Sequence, residues 1–136
     1  MLTRMPMAEP KTSTILLVDD NPDLLKAYRW ILESYGYSVL TASGGEEALS
    51  LLAKGTCPDA IFIDFSMPQM DGAELVVRIR EQNPELSPKK IVILTSFSPH
   101  APQLEYAKLA GVEIAEKPND IDALHPMVQR FVQLSA

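Results

Sequence analysis

The sequence predicts an α/β fold, a three-layer sandwich in which a doubly wound, five-stranded parallel sheet lies between two layers formed by five helices. Five short apolar segments recur along the chain, and most are continuous, as in parallel strands buried on both faces. The stretches between them carry helical patterns and are long enough for crossover connections. Because such crossovers are right-handed, the expected strand order is 2-1-3-4-5, with a topological switch point between strands one and three.

The expected strands are rich in β-branched and large aliphatic residues, except the fifth, which is weaker because a glutamate interrupts it. In chain order they are Ile15–Val18, Ser38–Thr41, Ala60–Ile63, Ile91–Leu94 and Val112–Ala115.

The first helix has the clearest start and stop signals. Asn21 is a favoured N-cap residue and Pro22 suits the first helical position. Gly36 is typical of the residue that ends a helix. The apolar face expected between these signals comprises Leu24, Tyr28, Ile31 and Leu32.

The next three helices have comparable signals. The second is expected to open at Ser43 or Gly44, with Ala48, Leu51 and Leu52 facing inward and Gly55 after its end. The third follows Asp71-Gly72, buries Leu75, Val76 and Ile79, and stops at Asn83-Pro84. The fourth runs from about Pro102 to Ala110, with Leu104, Ala107 and Ala110 on one side.

The fifth helix contains a proline in an awkward position. Its apolar residues are Leu124, Val128, Phe131 and Val132. Pro126 lies among them, and an internal proline removes a helical hydrogen bond and clashes with the preceding turn. The helix is therefore expected to start late or to bend near His125.

Composition bounds the function. The 136 residues are 46% hydrophobic and 22% charged, enough for one packed domain. We expect a tail over residues 1–12 and the domain over 13–134.

The net charge of −6 argues against a binder of nucleic-acid phosphates. The lone Cys57, expected to be half-buried, excludes an internal disulfide. No apolar run reaches the roughly 18 residues of a membrane span.

Residues able to carry chemistry follow the predicted strands. Asp19 and Asp20 end the first strand, Asp64 ends the third, Thr95 ends the fourth, and Lys117 follows the fifth. Strands one and three flank the switch point, where ligands bind in sheets of this kind. Three carboxylates are therefore expected to converge there. The alternative, that each aspartate merely caps the end of its own strand, explains all three together less readily.

The negative charge of such a cluster must be compensated by a cation. Close carboxylates repel one another, and their hard oxygen atoms favour Mg²⁺. The three carboxylates with Lys117 carry a formal charge of −2, which one divalent ion neutralises. A phosphoryl group could then be accommodated.

These motifs together resemble the receiver domain of two-component response regulators, in particular the single-domain, chemotaxis-regulator-like kind. The resemblance extends over about residues 13–134 and implies the flavodoxin-like arrangement. It is carried by Leu17-Val18-Asp19-Asp20-Asn21, by Asp64 to Gly72 in the pattern D-x-x-M-P-x-M-D-G, by Leu94-Thr95-Ser96, and by Ala110-Gly111 ahead of Lys117-Pro118.

The resemblance implies a role for each matching residue. Asp64 would accept the phosphoryl group, Thr95 would hydrogen-bond one of its oxygen atoms and Lys117 would pair with another. Asp20, Asp64 and the Ser66 carbonyl would bind Mg²⁺ directly, with Asp19 acting through its water shell. The peptide bond at Lys117-Pro118 matches a site that is cis in the family.

The resemblance also implies partners. The donor would be a sensor histidine kinase or a histidine phosphotransfer protein, and a downstream target protein would read the result. No nucleic acid or membrane is expected as a partner, the location would be cytoplasmic, and the chain would be a signalling module and not an enzyme. Whether it stands alone or is the receiver of a longer chain stays open.

Two departures from the family pattern bear on switching. Ile114 stands where a tyrosine or phenylalanine usually follows the movement of the threonine, which places that coupling in doubt. Phe97 stands two residues after Thr95, where a polar side chain can orient water, and predicts slow loss of the phosphoryl group. Tyr106 lies off the apolar face of the fourth helix, where it can contact a partner.

Three alternatives remain. A phosphatase of the haloacid-dehalogenase type would need a second aspartate where Ser66 stands, and usually a cap domain. A flavodoxin-like electron carrier would place phosphate against Asp19 and Asp20, which repel it. The third is a receiver-like domain that acts as a phosphorylation-independent protein interaction module, which Ile114 keeps open.

Overall fold

The structure, a computed structural model, describes residues 12–96 and 102–135. The predicted tail lies outside the described residues except for Thr12, and so does Phe97. Within the described part, no helix is both long and apolar enough to cross a membrane.

Five parallel strands form one sheet in the order β2-β1-β3-β4-β5, which confirms the predicted topology. The strands are β1 Thr14–Val18, β2 Ser38–Ala42, β3 Ala60–Asp64, β4 Ile91–Thr95 and β5 Glu113–Glu116. The helices are α1 Pro22–Ser34, α2 Gly45–Ala53, α3 Gly72–Gln82, α4 Glu105–Leu109 and α5 Leu124–Ser135. Short 3-10 helices span Pro88–Lys90, Pro102–Leu104 and Ile121–Ala123.

The sheet separates two hydrophobic cores, because successive side chains of a strand point to opposite faces. In β1, Leu16 and Val18 join the core with α2, α3 and α4, whereas Ile15 and Leu17 join the core with α1 and α5. All four are nearly inaccessible to solvent. Burial of each such side chain contributes roughly 1.5–3 kcal/mol, so the central strands hold their ends in fixed positions.

The helix boundaries predicted from capping residues are confirmed. The Asn21 side chain accepts hydrogen bonds from the backbone N–H groups of Asp23 and Leu24. Gly36 follows α1 with a φ of 96°, a conformation that favours glycine. The predicted inner faces are partly wrong, because Leu25 is more buried than Leu24 in α1 and Leu49 is more buried than Leu51 in α2.

The prediction of a late start for the fifth helix is confirmed. The 3-10 helix Ile121–Ala123 precedes α5, which begins at Leu124. Pro126 therefore falls in the first turn, where a backbone N–H would have no helical acceptor. The fourth helix also differs from expectation, since its first turn, Pro102–Leu104, is 3-10 and only Glu105–Leu109 is α-helical.

The half-buried Cys57 predicted from sequence is wrong. Its side chain is exposed, and its thiol lies 3.4 Å from the carbonyl oxygen of Gly55. The neighbouring Pro58 is buried in its place. Strand β3 begins only at Ala60, so Cys57 belongs to the connecting loop and not to the sheet.

Asp71→Ala is expected to lower the free energy of unfolding by about 1 kcal/mol, a usual value for loss of an N-cap side chain. The Asp71 carboxylate accepts a hydrogen bond of 2.8 Å from the backbone N–H of Glu74 at the start of α3. Urea denaturation followed by circular dichroism measures the change. Asp71→Ser, which retains an acceptor, is the control, and equal losses in both variants would contradict the capping role.

Candidate functional site

Asp19, Asp20 and Asp64 meet at the carboxyl edge of the sheet, as the strand order predicts. The register pairs Val18 of β1 with Ile63 of β3, so the residues that follow them are level. One oxygen atom from each carboxylate lies within 4.8 Å of the others. Asp19 and Asp64 are only 6% and 8% exposed, whereas Asp20 faces solvent.

Lys117 places one positive charge between the two buried carboxylates. Its Nζ lies 2.8 Å from Oδ2 of Asp19 and 3.4 Å from Oδ1 of Asp64. Its backbone N–H donates to the carbonyl oxygen of Thr95 at 2.9 Å, which joins the ends of β4 and β5. The peptide bond to Pro118 is trans, since none of the described peptide bonds is cis.

The backbone around Asp19 fixes the direction of its side chain. Oδ1 of Asp19 accepts a hydrogen bond of 2.9 Å from the N–H of Asn21, while Oδ2 binds Lys117. The Asp19 N–H donates to the carbonyl oxygen of Ala42 in β2. The carboxylate is therefore held at both oxygen atoms between the start of α1 and the end of β5.

The loop after Asp64 returns closely upon itself. The backbone N–H of Phe65 donates a hydrogen bond of 2.9 Å to the carbonyl oxygen of Leu94. The backbone N–H of Gly72 donates one of 2.8 Å to the carbonyl oxygen of Phe65. A Cβ at Gly72 would lie only 3.0 Å from the Asp64 carbonyl oxygen, so this close approach favours glycine. Met67 and Met70 are buried and anchor the loop in the core.

The loop leaves Ser66 exposed beside the site. Its carbonyl oxygen is the predicted backbone ligand of the metal. Thr95, which ends β4, is 1% exposed. Its position places it one strand away from Asp64, across the β3–β4 pairing. The structure thus brings together the three aspartates and Lys117, with Ser66 and Thr95 at adjoining positions of the same edge.

Burial is the largest single influence on the pKa values of Asp64 and Lys117, and neighbouring charges come second. Burial raises the pKa of Asp64, Asp19 raises it further, and Lys117 opposes the increase. Burial would lower the pKa of Lys117, but its hydrogen bond with Asp19 and the charges of Asp19 and Asp64 outweigh burial and raise it. Lys117 therefore offsets only part of the combined effect of burial and Asp19 on the pKa of Asp64.

Tyr28 is a member of this neighbourhood that sequence reasoning assigned only to the core. Its pKa is raised by burial; the charge of Lys117 opposes the increase, and Asp19 and Asp64 add to it. The tyrosine ring belongs to the core between α1 and the sheet. The only signal in the sequence was a phenol within an otherwise aliphatic face.

Asp64→Asn is expected to stabilise the metal-free protein at pH 7. Because the pKa of Asp64 is raised in the folded state, folding favours its protonated form. The free energy of unfolding of the wild type should therefore fall as pH rises from the ordinary value of 3.8 through the raised value. The amide has no such dependence.

Urea denaturation between pH 3 and 8 measures the difference between the two proteins. The advantage of Asp64→Asn should be present at neutral pH, vanish below the ordinary pKa and shrink when Mg²⁺ is added. Glu85→Gln, which alters an exposed carboxylate, is the control. If Asp64→Asn were less stable than wild type at pH 7, the raised pKa of Asp64 in the folded protein would be refuted.

A doubly wound parallel sheet with three carboxylates, a lysine and a threonine at its carboxyl edge defines the class of two-component signalling receivers. The chain belongs to the response regulator receiver domain family, whose sequence profile matches residues 15–129.

Relatives of known sequence agree with this membership. The transcriptional regulatory protein GlrR of Escherichia coli is 36% identical over 127 residues, which are 93% of this chain and 28% of GlrR. The chain thus spans little more than a quarter of that relative. An uncharacterized 14.6 kDa protein of Leptolyngbya boryana is 34% identical over 117 residues, or 86% of this chain and 88% of that protein.

Solved structures show the same fold. Response regulator TrrA of Thermotoga maritima, solved in complex with Mg²⁺–BeF, has a TM-score of 0.70 and 29% identity, covering 88% of this chain and 99% of TrrA. The chemotaxis protein CheY4 of Vibrio cholerae has a TM-score of 0.71 and 30% identity, covering 88% of this chain and 98% of CheY4.

Proposed function

We propose that this receiver domain accepts a phosphoryl group on Asp64, in a reaction that requires Mg²⁺, and thereby changes its affinity for a target protein. The observation that carries the proposal is the acidic cluster, in which Asp64 is buried beside Asp19 and Lys117 contacts both. The donor would be a sensor histidine kinase or a histidine phosphotransfer protein, the partners with which receiver domains interact.

The donor set of the site fits a magnesium ion. Three carboxylates within 4.8 Å of one another supply hard oxygen atoms, and Lys117 brings one formal positive charge against their three negative charges. Asp20, Asp64 and the Ser66 carbonyl would bind the ion directly, and Asp19 through water. When bound, the ion would offset the charge of the phosphoryl oxygen atoms.

The groups of the chain then have distinct tasks in the transfer. An Asp64 carboxylate oxygen forms a bond to phosphorus as the bond from phosphorus to the donor breaks, and the donor leaves with that electron pair. The ammonium group of Lys117 stabilises one phosphoryl oxygen, and the Thr95 hydroxyl donates to another. Catalysis of this kind is mostly positioning and electrostatic stabilisation.

An experiment with a small donor tests the proposal. The purified chain is incubated with acetyl phosphate and Mg²⁺, and its intact mass is measured. The wild type should gain one phosphoryl group and Asp64→Asn none, with Asp59→Asn as a control that should still gain one. The absence of any gain in the wild type would instead support the phosphorylation-independent interaction module.

Ile114 should limit the conformational response. It lies in β5 opposite Ile93 of β4, and it is half-buried against the core. An aliphatic side chain has no phenol to follow a movement of Thr95. A ligand shifts an equilibrium only by its differential affinity for the two states, so the shift should be small.

Amide chemical shifts of the wild type, with and without BeF₃⁻ as a phosphoryl mimic, measure this response. Changes should be large near Asp64 and small at Tyr106, Ile114 and Val128. Ile114→Tyr is the matched variant and should enlarge them. Equally large changes at all three residues in the wild type would show that the missing aromatic ring is irrelevant.

DNA is not proposed as a partner of these residues. GlrR is named as a transcriptional regulatory protein, but the chain matches only 28% of it. The net charge of −6 disfavours contact with a phosphate backbone. The target is therefore proposed to be a protein.

A further inference from the structure

A groove lies between α1 and the segment that leads into α5, apart from the acidic cluster. It encloses about 350 Å³ beside the C-terminal half of α1. Trp30 and Tyr35 form its α1 side, and Ile121 and Asp122 form the other. None of these four residues takes part in the proposed phosphotransfer, so the groove is independent of that chemistry.

The walls of the groove are large side chains that the described part of the chain leaves uncovered. Trp30 is 73% exposed, Tyr35 is 59% exposed and Ile121 is 47% exposed. The ring of His125 stacks on that of Tyr35, with centroids 3.7 Å apart and an interplanar angle of 11°. Single exposed apolar residues are ordinary, but a contiguous group beside a groove marks a binding site.

The start of the described chain lies close to this groove. The carbonyl oxygen of Ser13 accepts a hydrogen bond of 3.0 Å from the backbone N–H of Ser38. Tyr37, the residue before Ser38, meets the imidazole ring of His125 edge-on at 5.7 Å. His125 itself lines the groove. The chain that precedes Thr12 therefore joins the domain within two contacts of the groove.

We propose that residues 1–11 of the same chain bind in this groove, with Met5 and Met7 packed against Trp30 and Tyr35. These eleven residues lie outside the described part of the chain. An extended chain spans about 3.3 Å per residue, so Met7 can reach about 17 Å from Thr12 and Met5 about 23 Å. Both lengths are ample for a path that only two contacts separate from the groove.

The segment has side chains that suit such a groove. Methionine is flexible enough to fill an irregular space, and its sulfur makes favourable contacts with aromatic rings. The walls offer the indole of Trp30 and the phenol of Tyr35 as partners. Pro6, between the two methionines, restricts the free segment and so lowers the entropy lost on binding.

Charge complementarity gives the segment a direction. Arg4 precedes Met5, and the exposed Asp122 lines the groove. Among residues 12–96 and 102–135, no cationic side chain forms an ion pair with Asp122. When Met5 enters the groove, Arg4 is carried toward this carboxylate, in an exposed pair that contributes modestly.

Attachment to β1 favours this segment over a separate protein as the occupant. A tethered segment acts at an effective concentration of roughly millimolar, so weak contacts are enough to keep the groove filled. The segment then covers the apolar side chains beside α1. A separate protein can bind this face only by displacing it.

Fluorescence of Trp30 in the full chain tests the proposal, because Trp30 is the sole tryptophan. The wild-type emission should lie at shorter wavelength than that of the double variant Met5→Gln/Met7→Gln, in which polar amides replace the apolar thioethers. The difference should not depend on protein concentration, since the segment and the groove belong to one molecule. Leu109→Gln, which alters an exposed apolar side chain of α4, is the matched control and should keep the wild-type emission.

Limited digestion with trypsin, followed by intact mass, is an independent measurement. Cleavage after Arg4 requires the segment to leave the groove, so its rate follows the population of the open form. Trp30→Ala should raise that rate about tenfold, because it removes the largest side chain of the groove wall. Leu109→Gln should leave the rate unchanged.

A charge exchange tests the direction of the segment. Arg4→Glu and Asp122→Arg should each move the Trp30 emission part of the way toward that of the methionine double variant. The two substitutions together should restore most of the wild-type emission, because they recreate an opposite-charge pair. The substituted groove residues are exposed, so these variants should fold.

Two results would overturn the proposal. The first is a wild-type emission equal to that of the methionine double variant, with a cleavage rate that Trp30→Ala does not change, and it would leave the groove to a separate partner protein. The second is an emission that shifts to shorter wavelength only as the protein concentration rises, and it would assign the groove to a second molecule of the chain.

Discussion

Lys117→Ala is expected to slow phosphorylation of Asp64 by acetyl phosphate about 100-fold, the usual effect of removing one donor that stabilises developing charge. Lys117 is the ammonium group that contacts Asp64, at 3.4 Å, and its raised pKa keeps it protonated. Without it, an incoming phosphoryl group would lose the positive charge that contacts Asp19 and Asp64 among the described residues.

The time course of the intact mass at saturating Mg²⁺ measures this rate. Lys54→Ala, which alters an exposed lysine after α2, is the control and should react as the wild type does. The variant should also be less stable than wild type at pH 7, with the difference reduced at low pH, because Asp64 then becomes neutral. An unchanged rate would remove Lys117 from the proposed chemistry.

Asp20→Asn is expected to weaken Mg²⁺ binding by between about 10- and 100-fold, or about 1.4–2.7 kcal/mol. The substitution removes one carboxylate charge from the cluster but keeps the size of the side chain. Asp20 is the exposed member of the three aspartates, so its loss should affect the metal more than the packing. Phosphorylation should slow in parallel.

Isothermal titration calorimetry gives the affinity directly. Asp23→Asn is a matched control, because Asp23 is an exposed carboxylate in the first turn of α1 and lies outside the cluster. Tryptophan fluorescence is a poorer measure of Mg²⁺ binding, since Trp30 lies in the C-terminal half of α1, away from the acidic cluster, and faces solvent. Equal affinities for Asp20→Asn and wild type would contradict the metal assignment.

Most of the scaffold follows from local rules. The strands could be predicted because continuous apolar segments require burial on both faces, and the helix ends could be predicted from Asn21, Asp71 and Gly36. The faces of α1 and α2 were less certain, since a helical pattern defines a stripe broader than one residue. The packing of Leu25 and Leu49 was decided by the sheet beneath them.

The fold class, the strand order and the edge at which Asp19, Asp64 and Thr95 lie were determined by the sequence, because strand ends and right-handed crossovers leave few arrangements. Only the tertiary structure decided how Lys117 contacts Asp19, 98 residues away in the chain, at 2.8 Å. It also decided that Tyr28 lies near these charges, that Cys57 is exposed and that Trp30 borders a groove. Such contacts depend on the packing of elements distant in sequence, and no local periodicity records the distance or angle at which two elements meet.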